Sequence, residues 1–374
     1  MSFWLAYLIF SVSCVVITCR TLVAYSECAL WIKIAVVAAI TVAWFIPMLI
    51  WNLRTNTLIS SSFYAKLSYV GYFLYGTAFI LMMLLIFRDI IWTVLYLFGS
   101  KHIVSPADSH ILDIANIITV TAAFILGFYA VYEAEKMPRI LQYDFNNPKI
   151  THPLKIAMIS DAHINRAVSA DKVKKLVEYV NEQKADMVFL VGDIGDDFVD
   201  DIKPHLQELA KLKANDSVYF VLGNHEVYNN ATDWEATAGK MGWIVLHNSG
   251  VKIPEYGVYI AGIPDPDLFS VNIKQSLKNS AETDFKILLS HRPSFAKNVS
   301  DNGVDLMFSG HTHGGQIFPF NYAAGWGNAG FVAGLYDVKN TKLILSRGAG
   351  YWGPPMRLFA PSDIIIVNLN PAAD

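Results

Sequence analysis

The sequence predicts an all-α transmembrane helical bundle followed by an α/β domain. Three observations lead to this prediction. The 374 residues are 53% hydrophobic and only 16% charged, a balance too apolar for two ordinary soluble domains. The apolar excess is concentrated in long runs in the first third of the chain. Beyond them the pattern changes to short apolar runs that alternate with amphipathic segments, which is typical of α/β layering.

The predicted bundle rests on four apolar runs, at residues 3–19, 29–50, 67–87 and 111–132. Each is close to the ~17 to 25 residues that a helix needs to cross the hydrocarbon core. Buried helices of a soluble core are the alternative, but four such runs in one third of the chain argue against it. We therefore predict a four-helix transmembrane domain at residues 1–132.

The third run does not stop at Arg88 and Asp89, because residues 90–98 are again apolar. Either one long tilted helix or a span followed by an interfacial segment fits this pattern, and we favour the second. The Arg88 and Asp89 pair fits a position at the end of a span better than a functional site within the membrane.

Membrane orientation is read from basic residues in short loops. Those on one side are Arg54, Lys66, Lys136 and Arg139, and those on the other are Arg20, Lys33 and Lys101. This slim majority predicts that both termini are cytoplasmic. The net charge is −3 and no run is rich in Lys or Arg, so the composition argues against nucleic acid as a partner.

A polar linker at residues 133–153 contains Pro138, Pro148 and Pro153 and separates the bundle from a domain at residues 154–374. Five short apolar runs in this domain predict buried strands. They are LKIAMIS, MVFLVG, VYFVLG, KILLS and DLMFSG. Amphipathic segments at residues 171–184 and 201–213 lie between the first three and predict helices.

Each predicted strand is followed by potential metal ligands. In chain order these are Asp161 and His163, then Asp193, then Asn224 and His225, then His291, and finally His311 and His313. Side chains at the carboxyl ends of adjacent strands converge on one edge of a sheet. One such histidine alone is more often a hydrogen-bonded core or surface residue, but five successive strand ends predict a metal site.

These residues form the ordered motifs DxH, GDxxD, GNH[DE], H and GHxH, and in this order the chain resembles the calcineurin-like metallophosphoesterases. The segments GHTHGGQ, from Gly310, and SRGAGYWGPPMRL, from Ser346, resemble more narrowly the YkuE-like branch, some of whose members have N-terminal membrane helices. The resemblance implies a four-layer (αββα) sandwich, with two facing sheets and helices outside. One departure is Ser294, where relatives often have an acid, so a contact that supports His291 is in doubt.

The resemblance also implies two divalent metal ions and a role for each motif residue. One metal is held by Asp161, His163 and His313, the other by Asn224, His291 and His311, and Asp193 bridges both. Asp196 is a supporting acid, and His225 is not a ligand but a catalytic residue at the substrate. Imidazole, carboxylate and amide ligands suit Mn, Fe, Zn or Co, and the lack of cysteine in this domain argues against a thiolate zinc site.

The expected function is hydrolysis of a phosphoester or pyrophosphate bond by a hydroxide that two metals share. The partners are then the lipid bilayer and a phosphorylated substrate, and membrane tethering motivates the hypothesis that the substrate is a lipid or lipid-linked. We expect an integral protein of the bacterial inner (cytoplasmic) membrane with the hydrolase domain in the cytoplasm. Alternatives are a non-catalytic membrane sensor or scaffold, and a transporter, which the scarcity of charges in the spans disfavours.

Aromatic residues crowd the segment after the last ligand motif. They are Phe318, Phe320, Tyr322, Trp326, Phe331, Tyr336, Tyr351 and Trp352. Packing in a β-core explains some of them. Others are candidates for an apolar substrate entrance or a contact with the bilayer, since amphipathic rings favour the membrane interface.

Overall fold

A computed structural model describes residues 3–24, 26–54, 58–99 and 108–372. The chain divides into two compact units. One comprises Met1–Glu135 and Gly353–Leu358, and the other comprises Lys136–Trp352 and Phe359–Asp374. Lys101, which contributed to the orientation argument, lies outside the described residues.

The first unit consists mainly of four long helices. They are α1 (Phe3–Val23), α2 (Leu30–Leu53), α3 (Ser61–Phe98) and α4 (Ser109–Glu135). By length and composition all four could cross a membrane. The four predicted spans are therefore confirmed as long apolar helices.

Helix α3 includes both the third apolar run and residues 90–98. It runs without interruption for 38 residues, which at about 1.5 Å per residue is about 57 Å and exceeds the ~30 Å hydrocarbon core. No Pro or Gly follows Asp89 before the helix ends, so nothing in the sequence separates residues 90–98 from the span. A single continuous helix is therefore present, and the position of residues 90–98 in the span or in the interfacial layer stays a prediction.

Arg88 and Asp89 form a polar cluster that connects three helices. The Arg88 guanidinium donates to Asp89 Oδ1 at 2.8 Å and to Asn116 Oδ1 of α4 at 2.8 Å. The Thr21 hydroxyl of α1 donates to Asp89 Oδ2 at 3.2 Å. Because both charged groups are hydrogen-bonded, this pair has a structural explanation within the helical unit.

The short segment Gly353–Leu358 belongs to the helical unit. Met356 is fully buried there, and a Cβ placed on Gly76 of α3 would lie 2.5 Å from the Met356 sulfur. Gly76 is thus required by the close approach of this side chain. The Arg357 amide donates to the Ala130 carbonyl of α4 at 2.8 Å.

The second unit contains two six-stranded sheets. The first has the order β1-β12-β2-β3-β4-β5 and the second β10-β11-β9-β8-β7-β6. The strands are β1 (Arg139–Asn147), β2 (Leu154–Ile159), β3 (Met187–Val191), β4 (Ser217–Val221), β5 (Ile244–Val245), β6 (Ser249–Ile253), β7 (Val258–Gly262), β8 (Phe285–Leu289), β9 (Leu306–Ser309), β10 (Gly334–Val338), β11 (Thr341–Leu345) and β12 (Asp363–Pro371). The five predicted strands are β2, β3, β4, β8 and β9.

Seven helices accompany the sheets. They are α5 (Ala170–Asn181), α6 (Lys203–Leu209), α7 (Asn224–Tyr228), α8 (Ala231–Lys240), α9 (Ile273–Ser276), α10 (Ala296–Ser300) and α11 (Phe320–Gly327). Helix α6 lies within the second segment that was predicted to be helical, and α5 overlaps the first but begins one residue earlier. Side chains of α5, α6 and α8 pack on one face of the first sheet, and those of α10 on one face of the second.

Successive side chains of a strand alternate between its two faces, and this alternation produces the layers. In β2, Ile156 and Met158 lie in a core that both sheets share, whereas Ala157 and Ile159 lie in the core beneath the outer helices. Successive side chains of a strand point to opposite faces, so one strand serves both cores. The two sheets therefore face each other with helices outside, which confirms the predicted αββα sandwich.

Strand β1 lies within the segment that the sequence analysis assigns to the linker. It pairs in parallel with β12 over its whole length, from Arg139 opposite Asp363 to Asn147 opposite Pro371. Leu141, Tyr143 and Phe145 pack against the core between the sheets. Residues 139–147 are therefore the edge strand of the first sheet and not part of a linker between the two domains.

Candidate metal centre

Strands of both sheets end at the candidate site. Asp161 and His163 follow β2, Asp193 follows β3, and Asn224 and His225 begin α7 just after β4. From the second sheet, His291 follows β8, and His311 and His313 follow β9. The structure thus places every site residue that the sequence analysis named just after one of these five strands.

Five of the seven proposed ligands have a left-handed backbone conformation. Their φ angles are between 48° and 76°, and the residues are Asp161, His163, Asp193, His311 and His313. Non-glycine residues seldom adopt positive φ, at a cost of roughly 1 to 3 kcal/mol each. Such conformations persist where the surroundings enforce them, and their concentration here marks a functional site.

The first cluster contains Asp161, His163 and His313, all buried. The His163 and His313 Nε2 atoms are 2.8 Å apart. The His313 Nε2 atom also lies 3.4 Å from Asp161 Oδ1. Two imidazole nitrogens and a carboxylate oxygen therefore point to one small volume, as they do around a cation.

The second cluster contains Asp193, His291 and His311. The Asp193 Oδ2 atom is 3.1 Å from His291 Nε2, which in turn is 3.2 Å from His311 Nδ1. Asp193 also forms a group with His163 and His225, and its Oδ2 atom lies 3.9 Å from the Nε2 atom of each. Asp193 therefore belongs to two groups, one of which includes His163 of the first cluster.

Hydrogen bonds fix which ring nitrogens face the site. Asp196 Oδ1 bonds the Nδ1 atom of His163 at 2.5 Å and contacts that of His225 at 2.8 Å. The Val191 carbonyl accepts from His291 Nδ1 at 2.9 Å. A histidine that donates one N–H in this way presents the other nitrogen as a ligand. A backbone carbonyl thus supports His291, whereas the departure at Ser294 had left this support in doubt.

Asn224, the first residue of α7, is the remaining proposed ligand. Its side chain is buried, and among the described residues its Oδ1 atom has no hydrogen-bond partner. A buried acceptor without a partner is costly in a folded protein. A cation would satisfy it, so Asn224 fits the ligand role that the resemblance implies.

Glu226 is the residue that the sequence analysis missed. Its fully buried carboxylate accepts four backbone N–H groups at 2.6 to 3.0 Å. The donors are Asp193, Ile194, Gly195 and Gly223. Glu226 thereby holds the turn that carries Asp193, and the signal for this role was the acid in the GNHE motif.

The charges of the site favour a cation. Burial disfavours the charged form of His225, but the carboxylates of Asp193 and Asp196 outweigh it and raise the pKa of His225 to about 9. Burial and the neighbouring His291 lower the pKa of His311 to about 3. The negative potential of the carboxylates, which favours the imidazolium form of His225, would equally attract divalent metal ions.

The segment Gly348-Ala349-Gly350, which follows β11, packs on the first cluster. The Gly350 amide donates to the Asp161 carbonyl at 2.9 Å. Gly348 has a φ of 85°, and a Cβ there would lie 2.5 Å from that of Asp161. Only glycine therefore fits at this position, and the segment leads directly to Tyr351 and Trp352.

Trp352 lies beside the candidate catalytic histidine. Its ring is 5.8 Å from the His225 ring in an edge-to-face arrangement, and 51% of its surface is exposed. Both of its backbone polar groups bond the Gln316 side chain, at 2.9 Å each. The structure thus holds an exposed indole at the edge of the metal centre.

Comparisons with known proteins agree with this geometry. A family model described as calcineurin-like phosphoesterase matches residues 154–315. A metallophosphoesterase of Campylobacter jejuni is 34% identical over 313 residues, which are 79% of each chain. This chain belongs to the calcineurin-like metallophosphoesterase family. It is therefore a metal-dependent phosphoesterase, as the sequence predicts.

Two further metallophosphoesterases resemble the chain. The YkuE protein of Bacillus subtilis is 28% identical, over 64% of this chain and 88% of its own length. A zebrafish (Danio rerio) protein named transmembrane protein with metallophosphoesterase domain is 30% identical, over 69% of this chain and 63% of its own length. The predicted YkuE-like branch with N-terminal transmembrane helices is thus confirmed.

Proposed function

We propose that this metallophosphoesterase cleaves a phosphoester or pyrophosphate bond of a lipid or lipid-linked substrate at two divalent metal ions. The observation that carries the proposal is Asp193, which belongs to two adjacent groups of ligand atoms. The four apolar helices support a substrate that reaches the enzyme from the membrane. The basic residues of the short loops favour a hydrolase domain on the cytoplasmic side of a bacterial inner membrane.

The side chains fit two metal ions. Asp161, His163 and His313 would hold one, Asn224, His291 and His311 the other, and Asp193 would contact both. These donors suit Mn, Fe, Zn or Co. When bound, two such ions lower the pKa of a shared water and attract the phosphoryl oxygens. Asp161 and Asp193 balance only part of the charge of two divalent cations, so the site would attract an anionic substrate.

His225 is placed to act on the leaving group. Its Nδ1 atom is held by Asp196, while its Nε2 atom faces the Asp193 carboxylate at 3.9 Å. We propose that His225 protonates the departing oxygen, with Asp196 fixing the orientation of the ring. Proton transfer of this kind usually contributes about 10² to 10⁴ in rate.

His225→Gln is expected to leave the metal content unchanged and to lower kcat by about 10² to 10⁴ for substrates with alkoxide leaving groups. The loss should be much smaller for nitrophenyl esters, because nitrophenolate leaves without a proton. Elemental analysis and paired kinetic assays measure both quantities. Equal losses for the two leaving groups would remove His225 from this role.

The membrane origin of the substrate can be tested through Tyr351 and Trp352. Trp352 is half exposed, and the Tyr351 ring lies 5.1 Å from the Lys172 ammonium. Replacement of both rings by Ser is expected to raise KM for a phosphate substrate embedded in vesicles. Hydrolysis of a small soluble ester and the melting temperature should change little.

The matched control is the Tyr351→Phe, Trp352→Phe variant, which keeps two apolar rings and should behave as the wild type. If both rings served only the core, the Ser variant would lose about 3 to 5 kcal/mol of stability and would impair both substrates alike. That result would contradict a role in guiding an apolar substrate.

The substrate itself can be sought directly. The purified full-length protein with Mn²⁺ should deplete one class of phosphate species from a bacterial membrane lipid extract. The Asp193→Asn variant, prepared in parallel, serves as the inactive control. Depletion of soluble phosphate compounds alone would contradict the lipid part of the proposal and leave the hydrolytic part intact.

A further inference from the structure

Four exposed aromatic rings lie together on the surface of the hydrolase domain. They are Phe318 (45% exposed), Tyr322 (72%), Trp326 (91%) and Phe359 (71%). We call this set the aromatic face. Soluble proteins seldom expose large contiguous apolar patches, and those that occur mark interaction sites.

The members of the aromatic face are contiguous. The Phe318 ring lies 6.2 Å from that of Tyr322 and 6.0 Å from that of Phe359. Tyr322 and Trp326 are four residues apart in α11 and therefore lie on the same side of that helix. The aromatic face thus consists of side chains from helix α11, from the residues just before it, and from the segment just before β12.

The surrounding sequence carries no formal charge. Between Asp305 and Asp337 there is no Asp, Glu, Lys or Arg. In the same segment Phe331 is buried and Tyr336 packs against it, whereas Phe320 is also exposed (53%). The segment therefore has a normal core of its own, and core packing does not explain the four exposed rings.

The backbone at Phe359 adds an independent observation. Its φ is 60°, a left-handed conformation that is rare for a bulky side chain and costs roughly 1 to 3 kcal/mol. Glycine would adopt this conformation without that cost. A ring that is 71% exposed at such a position is best explained by an external contact that uses it.

The chain itself indicates what the face contacts. Residues 136–138 are the only residues between α4, which is apolar enough to span a membrane, and β1. A domain on so short a connection remains at the membrane surface. Trp and Tyr rings favour the interfacial layer, and the lack of charges excludes a strongly acidic or basic partner. We infer that the aromatic face inserts into the interfacial layer of the bilayer.

This contact has a consequence for access to the metals. Phe318 follows the proposed ligand His313 by five residues in the chain, so the aromatic face and the metal centre share one loop region. A lipid in the interfacial layer would then meet the hydrolase domain on the side that carries the proposed metal-binding residues. The inference concerns the surface alone and does not depend on which bond is hydrolysed.

The test places a nitroxide spin label at position 326. Full-length Trp326→Cys protein, with Cys14, Cys19 and Cys28 replaced by Ser, is reconstituted in phosphatidylcholine vesicles. Collision rates with oxygen, which concentrates in lipid, and with a water-soluble nickel chelate are measured by electron paramagnetic resonance. Retained hydrolysis of a small ester confirms that the labelled protein is folded. The matched control is Glu182→Cys, an exposed site at the opposite end of the strands from the ligands.

At position 326 we expect a nickel collision rate several-fold lower than at position 182, and a higher oxygen rate. The rates should not change when anionic lipid is added, because the face carries no charge. Equal nickel access at the two positions would overturn the inference. Low access to both reagents would also overturn it, because protein would then cover the site. If the spectral lines broadened as the amount of protein per vesicle increased, the protein that covers the site would be a second copy of the chain.

A second measurement avoids the cysteine replacements. Brominated lipids quench tryptophans that contact the bilayer, and Trp326→Phe removes one such ring. If the inference holds, the quenched fraction of the total fluorescence falls in Trp326→Phe. It rises in a Trp243→Phe control, because that ring is buried in the outer core of the first sheet and contributes only unquenched fluorescence. A quenched fraction that is unchanged or higher in Trp326→Phe would contradict the inference.

Discussion

Asp193→Asn is expected to cause the largest loss of activity, with both metal ions released. Replacing a residue that only supports a metal ligand typically lowers activity by up to about 10²-fold, so the loss of a ligand should lower turnover by more than that. Asp193 is the only carboxylate of the described residues that belongs to two of the ligand groups. Its replacement by a neutral amide removes negative charge from both proposed metal positions at once.

The comparison variants make this result specific. Asn224→Ala should weaken chiefly one metal ion, because Asn224 contributes a single oxygen to one position. Asp284→Asn is the matched control: Asp284 is also buried and bonds Lys252 and the Ala281 amide, but it lies outside the site. It should retain both metals, as measured by elemental analysis of the purified protein. Two tightly bound metals and normal turnover in Asp193→Asn would show that Asp193 is not the bridge.

Glu226→Ala is expected to cause the largest loss of stability. The substitution leaves four buried N–H groups, those of Asp193, Ile194, Gly195 and Gly223, without their acceptor. Each unsatisfied buried group costs about 1 to 3 kcal/mol, so the total approaches the 5 to 15 kcal/mol that stabilises a typical domain. We expect the full-length protein in detergent to unfold at a much lower temperature, whether or not metal is present.

Two variants separate the loss of these hydrogen bonds from the loss of a charge. Glu226→Gln keeps one acceptor oxygen and should be intermediate in stability. Glu235→Ala removes a partly exposed acid that contacts only His247 among the described residues, and a pair of that kind contributes at most about 1 kcal/mol. A melting temperature for Glu226→Ala equal to that of Glu235→Ala would refute the anchoring role of Glu226.

The strands that end at the metal centre could be predicted because two signals coincide in them. β3 is a continuous apolar run that is buried on both faces, and a potential ligand follows it after one glycine. The same holds in outline for β2, β4, β8 and β9. Because parallel strands bring their carboxyl ends together, the order of the ligands along the chain was sufficient to place them at one edge.

Contacts between distant residues could not be predicted in this way. Glu226 was overlooked because three of its four donors lie about thirty residues earlier, and nothing local indicates them. The aromatic segment shows the same limit. Phe331 is in the core and Trp326 is almost fully exposed, although both stand in the same uncharged run. Aromatic content predicts neither burial nor exposure without the tertiary packing.

Strand β1 determines where the chain can be cut. A fragment that begins at Leu154 would lose the partner of β12, a nine-residue strand, and would leave a row of backbone N–H and C=O groups open along it. An unprotected edge of this length invites pairing with another molecule and aggregation. It would also uncover the core that Leu141, Tyr143 and Phe145 close. A hydrolase fragment that keeps this strand therefore has to begin before Arg139, within a few residues of the end of α4.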